Sequence, residues 1–170
     1  MYQKVMVPLD GSDLAECVLP HVKDFIKSSL ARTVVFVRVI EPLPLLVYGE
    51  LAETFPLSTY AEPYADRLDH WQSVEAERKS AAEEYLKKAS SFLNEYGERV
   101  QCEVLVGKVA QTIAAYAEDN KVDLTMIATH GRSGVSRWIM GSVADRIFRS
   151  SNAPVLMVRA PDTNKAMTRE

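Results

Sequence analysis

The chain opens on a short apolar run, Val5-Met6-Val7-Pro8-Leu9, cut off by Asp10-Gly11-Ser12. An apolar run that stops at turn chemistry, with a Ser suited to capping a helix start, predicts a strand leading into a helix. Leu14, Val18, Val22, Phe25 and Ile26 then recur at helical spacing, and Asp13 and Glu16 stand in the first turn, where acids favour the helix dipole. Pro20 falls inside this pattern and predicts a kink or a frayed turn. Thr33 to Ile40 is β-branched and almost continuously apolar, as a strand covered on both faces should be.

From Glu41 to about Gln72 the periodicity gives way to Pro42, Pro44, Pro56 and Pro63, interleaved with Tyr48, Phe55, Tyr60, Tyr64 and Trp71. So many large aromatics argue against simple disorder. Helical spacing returns at Ala82, Tyr85, Leu86, Ala89, Phe92, Leu93 and Tyr96 and stops at Gly97, a residue suited to the position just past a helix. Leu68 and Trp71 keep an approximate phase with it, which lets this helix begin as early as Pro63. Val100 to Val106 alternates as a third strand, Val109 to Glu118 carries a helix, and Leu124 to Ala128 is a fourth strand. Ser142 to Arg149 is a further helix, and Val155 to Val158 a fifth strand.

Strand and helix thus alternate along the whole chain. That predicts an α/β fold, an open, doubly wound, Rossmann-like sheet of five parallel strands with helices on both faces. With the strands ordered 3-2-1-4-5, the crevice where winding reverses lies between strands one and four, and ligands of such sheets bind beyond the C-terminal strand ends there.

The 170 residues, 47% apolar, suffice for one substantial core, so a single domain is expected over 1–160, with an insertion at about 42–72 and a polar tail at 161–170. The 23 acidic against 20 basic residues, net charge -3, supply no broad basic face, so nucleic acid is not an expected partner. No apolar run approaches the roughly 18 residues of a membrane span and the first residues lack a leader's apolar core, so the expected setting is cytoplasmic, away from the membrane. Cys17 and Cys102 lack paired spacing and are expected to be small buried hydrophobes. His21, His70 and the scattered acids show no metal-ligand spacing.

Two turns fall at the expected crevice: Pro8-Leu9-Asp10-Gly11-Ser12, and Thr129-His130-Gly131-Arg132-Ser133-Gly134. The second runs on to Gly141-Ser142-Val143-Ala144-Asp145 at a helix start. Gly131 and Gly141 let backbone approach an anion closely, and free amides at a helix N-terminus suit phosphate oxygens. Each residue also has a plainer explanation. The glycines shape a turn, and Ser142 caps a helix with Asp145 completing a capping box. Asp10 bonds its own downstream amides, His130 is a hydrogen-bonded turn residue, and Arg132 is a solvated charge. Lys108 follows Gly107, but the first glycine of a phosphate loop is absent, and no function is assigned to it.

Taken together, Ala128-Thr129-His130-Gly131, nine residues, then Gly141-Ser142 resembles the nucleotide motif of the universal stress proteins, Gly-x2-Gly-x9-Gly-Ser/Thr. Pro8, Asp10, Gly11 and Ser12 at the start, and Ala153-Pro154-Val155-Leu156-Met157-Val158-Arg159 at the end, are similar to that family as well. The resemblance implies an ATP-binding regulatory or stress-response protein acting as a dimer, with ADP or AMP as other ligands and Mg carried through the phosphates. It implies a site of Pro8, Asp10, Val39, Ala128, His130, Gly131, Arg132, Gly141, Ser142 and Val143. Asp10 would sit near the ribose and the Val39 backbone near adenine. Gly131, Gly141, Ser142 and Val143 would hold the phosphates, and Arg132, by its own place beside Gly131, is expected to neutralise a β- or γ-phosphate if it is not a solvated charge. The homodimer would form through Val155, Leu156, Met157 and Val158.

The family's first motif glycine is Ala128 here, whose Cβ either crowds the phosphates or costs about 1 kcal/mol if the backbone needs φ > 0. A nucleotide-independent dimeric interaction module and a slow ATPase are the alternatives. The chain has no Ser-Gly-Gly-x-Asp-Ser pyrophosphate loop and no His-x-Gly-His motif, and no catalytic residue is assigned. The insertion leaves the sheet at the ligand edge, where its aromatics would cover the adenosine pocket, meet a second subunit, or pack on one another.

Overall fold

Val5, Met6 and Val7 are all fully buried, because the strand they form lies at the centre of the sheet with helices on both sides. A computed structural model describes residues 1–43, 61–129 and 142–160, the side chains of 61–69 and 142 excepted. In chain order its elements are β1 (Tyr2–Pro8), α1 (Asp13–Glu16), α2 (Leu19–Lys27), β2 (Ala31–Ile40) and α3 (Ala61–Ser90). A 3-10 segment (Ser91–Arg99), β3 (Val100–Val106), α4 (Val109–Asp119), β4 (Leu124–Thr129), α5 (Ser142–Ser150) and β5 (Val155–Arg159) complete it. All four strand pairings are parallel and the order is β3-β2-β1-β4-β5.

Strand alternation divides the core in two. Val5, Val7, Val34, Phe36, Leu124 and Met126 point to one face, beneath Ala15, Val18, Val22, Ile26, Leu86 and Leu93 of α1, α2, α3 and the 3-10 segment. Met6, Val35, Val37 and Ile127 point to the other, against Ile113, Tyr116, Ala117, Ala144 and Ile147 of α4 and α5. The winding therefore reverses between β1 and β4, as expected of right-handed crossovers in a doubly wound sheet.

Local chemistry sets the element ends. Ser12 caps α1, its Oγ accepting from the Ala15 amide at 3.1 Å. Pro20 resolves the apolar pattern of residues 14–26 into two helices: it takes the second position of α2, where its missing N–H is no loss, and residues 17–18 form the break. Gly97, at φ 53°, ψ -127°, ends the helical run of α3 and the 3-10 segment. The Asp123 carboxylate accepts from the amides of Gln3 and Lys4 at 2.7 and 3.0 Å, so β1 begins earlier than its apolar run suggests. Arg99, stacked over Tyr96, donates to the carbonyls of Arg32 and Ala31, both at 3.0 Å, and of Ile26 at 3.3 Å, tying the end of the 3-10 segment to the start of β2 and to α2.

α3 starts at Ala61, so the 42–72 stretch is helix from that residue on. Arg78 donates to the Glu41 carbonyl at 3.1 Å, which marks where α3 passes the C-terminal edge of the sheet. The residues of α3 before it continue for about 25 Å at 1.5 Å per residue. Trp71 is half-buried and meets His70 edge-on. Tyr48, Phe55, Tyr60 and the tail at 161–170 lie outside the described residues, as does the Tyr64 side chain.

One expectation fails. Cys17 is half-buried, but Cys102 is exposed, not a buried hydrophobe. It stands on β3, an edge strand paired only to β2, so the alternation that buries a central strand on both faces leaves this residue at the surface. Its Sγ lies 3.3 Å from Ser90 Oγ. Among the described residues no helix is long and apolar enough to cross a membrane.

Candidate functional site at the C-terminal edge of the sheet

β1 and β4 pair at Val5–Leu124 and Met6–Thr125. Beyond that point the pairing of β1 to β2 alone continues, through Val7–Phe36 and Pro8–Val37. Pro8 has no N–H, and the Leu9 amide donates to Val37 of β2 at 2.9 Å. A cleft of about 580 Å³ opens at this edge, a volume in the usual range for small-molecule sites. Pro8, Leu9 and Asp10 follow β1 into it, Val37, Arg38, Val39, Ile40 and Glu41 come from the end of β2, and Ile127, Ala128 and Thr129 from β4. Leu14, Ala15, Arg78, Val109, Ile113, Val143 and Ala144 complete the lining from the helices.

Five of the ten residues expected in the site thus meet in one cleft: Pro8, Asp10, Val39, Ala128 and Val143. His130, Gly131, Arg132 and Gly141 lie outside the described residues, and Ser142 is described only as the first residue of α5. Ala128 is a β4 residue paired with Val158, and it is not among the positive-φ positions. Its methyl packs into the core on the α1–α3 side, so alanine here carries no backbone strain. Asp10 does what a turn aspartate does: its Oδ1 accepts from the Ser12 amide at 2.9 Å and from Ser12 Oγ at 2.6 Å, while the residue stays exposed at the cleft mouth. Asp145 joins Arg149 one helical turn on, both carboxylate oxygens 3.0 Å from Nε.

Sequence reasoning passed over Arg38, Glu41 and Arg78. Arg38 carried a visible signal, a charge inside the apolar run Val35-Phe36-Val37-Arg38-Val39-Ile40. Its guanidinium lies 4.8 Å above the Tyr85 ring centroid, a cation–π contact. Gly11 also lies against it: a Cβ there would stand 3.2 to 3.4 Å from Nη2, Nη1 and Cζ, and Gly11 takes φ 90°. Burial pushes the Tyr85 phenol well above its ordinary range. The Glu16 carboxylate adds to this and Asp10 adds a little more, while Arg38 works in the opposite direction. Glu16 is near enough to act on the phenol but does not close a bond of good geometry, for the hydroxyl is buried without a partner. The Tyr116 phenol, on α4, is likewise raised by burial and by Glu103. Among the described residues no three His, Cys, Asp or Glu side chains assemble as a metal set.

Comparison with known proteins gives the same picture. A universal stress protein of Methanocaldococcus jannaschii, MJ0577, is 31% identical over 162 residues, covering 94% of this chain and 96% of its own. Its solved structure superposes with a TM-score of 0.70 at 26% identity, over 96% of this chain and 99% of that one. Two more distant structures share the fold. One is a universal stress protein in complex with cAMP, 20% identical with a TM-score of 0.58 over 92% of this chain and 96% of its own. The other is an Arabidopsis thaliana family member with AMP bound, 13% identical with a TM-score of 0.56 over 98% and 97%. The universal stress protein family model matches residues 1–159, and the chain belongs to that family.

Proposed function

We propose that this chain binds an adenine nucleotide, ATP foremost, in the cleft between β1 and β4 and acts as a dimeric regulatory protein of the stress response. The observation that carries the reading is the convergence of Pro8, Asp10, Val39, Ala128 and Val143, far apart in sequence, on one cleft at the winding reversal. Two fold relatives hold AMP and cAMP. The chain's own residues suit such a ligand. The half-buried Val39 side chain covers a base, Asp10 accepts from ribose hydroxyls through the oxygen Ser12 does not use, and the first amides of α5 face phosphate oxygens. Magnesium would ride on the phosphates, with Asp10 and Glu41 the carboxylates lining the cleft. Dimerisation is assigned to β5, whose outer edge is unpaired among the described residues and whose Leu156 is exposed.

The test is to denature the purified protein, identify released ATP, ADP or AMP by mass spectrometry, and titrate ATP and AMP into wild type and Gly141→Val. Nucleotide on the wild type and none on the variant supports the cleft. No nucleotide and no binding in titration refutes it and favours an interaction module. Phosphate release that persists after contaminating ATPases are removed makes the protein a slow ATPase. Leu156→Lys should halve the mass seen by light scattering if β5 is the dimer edge.

A further inference from the structure

Arg38 is a cation in the cleft that the nucleotide reading leaves without work. It is half-buried, held from below by the Tyr85 ring and given room by Gly11. Among the described residues its guanidinium has neither a hydrogen-bond acceptor nor a carboxylate within ion-pair distance. Arg78, the other cation among the described residues of the cleft, is already committed to the Glu41 carbonyl, and Asp10 to Ser12. A guanidinium stacked on an aromatic ring keeps its donors in a fixed plane, so it loses little freedom when an anion arrives and can bind two oxygens at once.

Its position distinguishes it from the phosphate cradle. Arg38 stands near the end of β2, next to Val39, whereas the start of α5 follows β4, two strands away across β1. Arg38 also lies beside Gly11, the neighbour of Asp10, which the nucleotide reading assigns to the ribose. A nucleotide with its base at Val39 and its 5′-phosphates at α5 therefore turns its nucleoside end, and not its phosphate tail, toward Arg38.

Resting on the nucleotide reading, we propose that Arg38 recognises a second anionic group at that end, a phosphate on the ribose 2′ or 3′ oxygen. The preferred ligands are then adenine nucleotides phosphorylated at both ends of the ribose. Arg38 sets this specificity and has no part in bond making.

Calorimetric titration of the purified full chain with AMP, ATP, adenosine 2′,5′-bisphosphate and adenosine 3′,5′-bisphosphate tests it. At least one bisphosphate should bind wild type about tenfold tighter than AMP, the size of one charge-assisted contact. Arg38→Met should reduce that preference below about twofold, and Arg38→Lys should keep part of it. Equal affinity of AMP and both bisphosphates for wild type, a comparison that needs no variant, overturns the proposal. So does a preference that survives in Arg38→Met. Binding of AMP or ATP without preference removes this inference alone, while failure of all four ligands removes the nucleotide reading with it.

Discussion

Replacing Gly11 by alanine tests the arrangement around Arg38 from the side of stability. Two effects act. Gly11 has φ 90°, where a side-chain-bearing residue is strained, at a cost of about 1 kcal/mol. The new Cβ would also stand 3.2 to 3.4 Å from three guanidinium atoms of Arg38. Contacts that short ask for a shift of a few tenths of an ångström. A free arginine would give at once, but this one is backed by the Tyr85 ring at 4.8 Å, so yielding means sliding off the ring. That places the second effect at about 0.5–1 kcal/mol, the low end of overpacking because the obstacle is a side-chain tip. Gly11→Ala should therefore destabilise by about 1.5–2 kcal/mol in urea unfolding. In an Arg38→Ala background only the backbone part should remain, about 1 kcal/mol, and the double-mutant cycle should return a coupling of about 0.5–1 kcal/mol. Equal costs in both backgrounds would refute the contact with Arg38, and no cost in either would refute the positive φ as well.

Two further outcomes concern buried phenols and the two thiols. The Tyr85 and Tyr116 phenols are both held above the usual value of 10.0, so the folded state keeps their protons more tightly than the unfolded chain; the stability this contributes is full below pH 10 and is lost as pH rises beyond it. Tyr85→Phe with Tyr116→Phe should flatten that alkaline decline in chemical denaturation, and an unchanged pH dependence would contradict the burial of these hydroxyls. Iodoacetamide should alkylate Cys102 well before Cys17 in the native protein, because Cys102 is exposed while burial both shields the Cys17 thiol and raises its pKa. Peptide mass mapping over time checks the order, and faster loss of Cys17 would contradict it.

Strand and helix order was legible because each signal is local. Val5 to Val7 and Thr33 to Ile40 are apolar runs that only a two-sided burial explains, and Gly97 and Ser12 punctuate them by backbone geometry and capping. Pro20 announced a disturbance, and the structure decided its form, a break followed by a helix that uses proline near its start. The edges of the ladder were less legible. Tyr2 to Lys4 carry little apolar content; they join the ladder by pairing with the start of β2, and the amides of Gln3 and Lys4 are held by the carboxylate of Asp123, about 120 residues away, so no short window of sequence contains these interactions.

The candidate site divides along the same line. Asp10, Val39, Ala128 and Val143 could be named from the sequence through the family resemblance and the strand ends, and they meet in one cleft at the edge of the parallel sheet. Tertiary structure decided what those residues face. It set Ala128 in ordinary strand backbone, fastened Asp10 to Ser12, and left Cys102 exposed on an edge strand. It also laid Arg38 across Tyr85 beside Gly11, three residues drawn from β2, α3 and the turn after β1. The physical reason is one of range: apolar periodicity, capping and turn preference act within a few residues, whereas burial and charge environment depend on which distant elements the packing brings together.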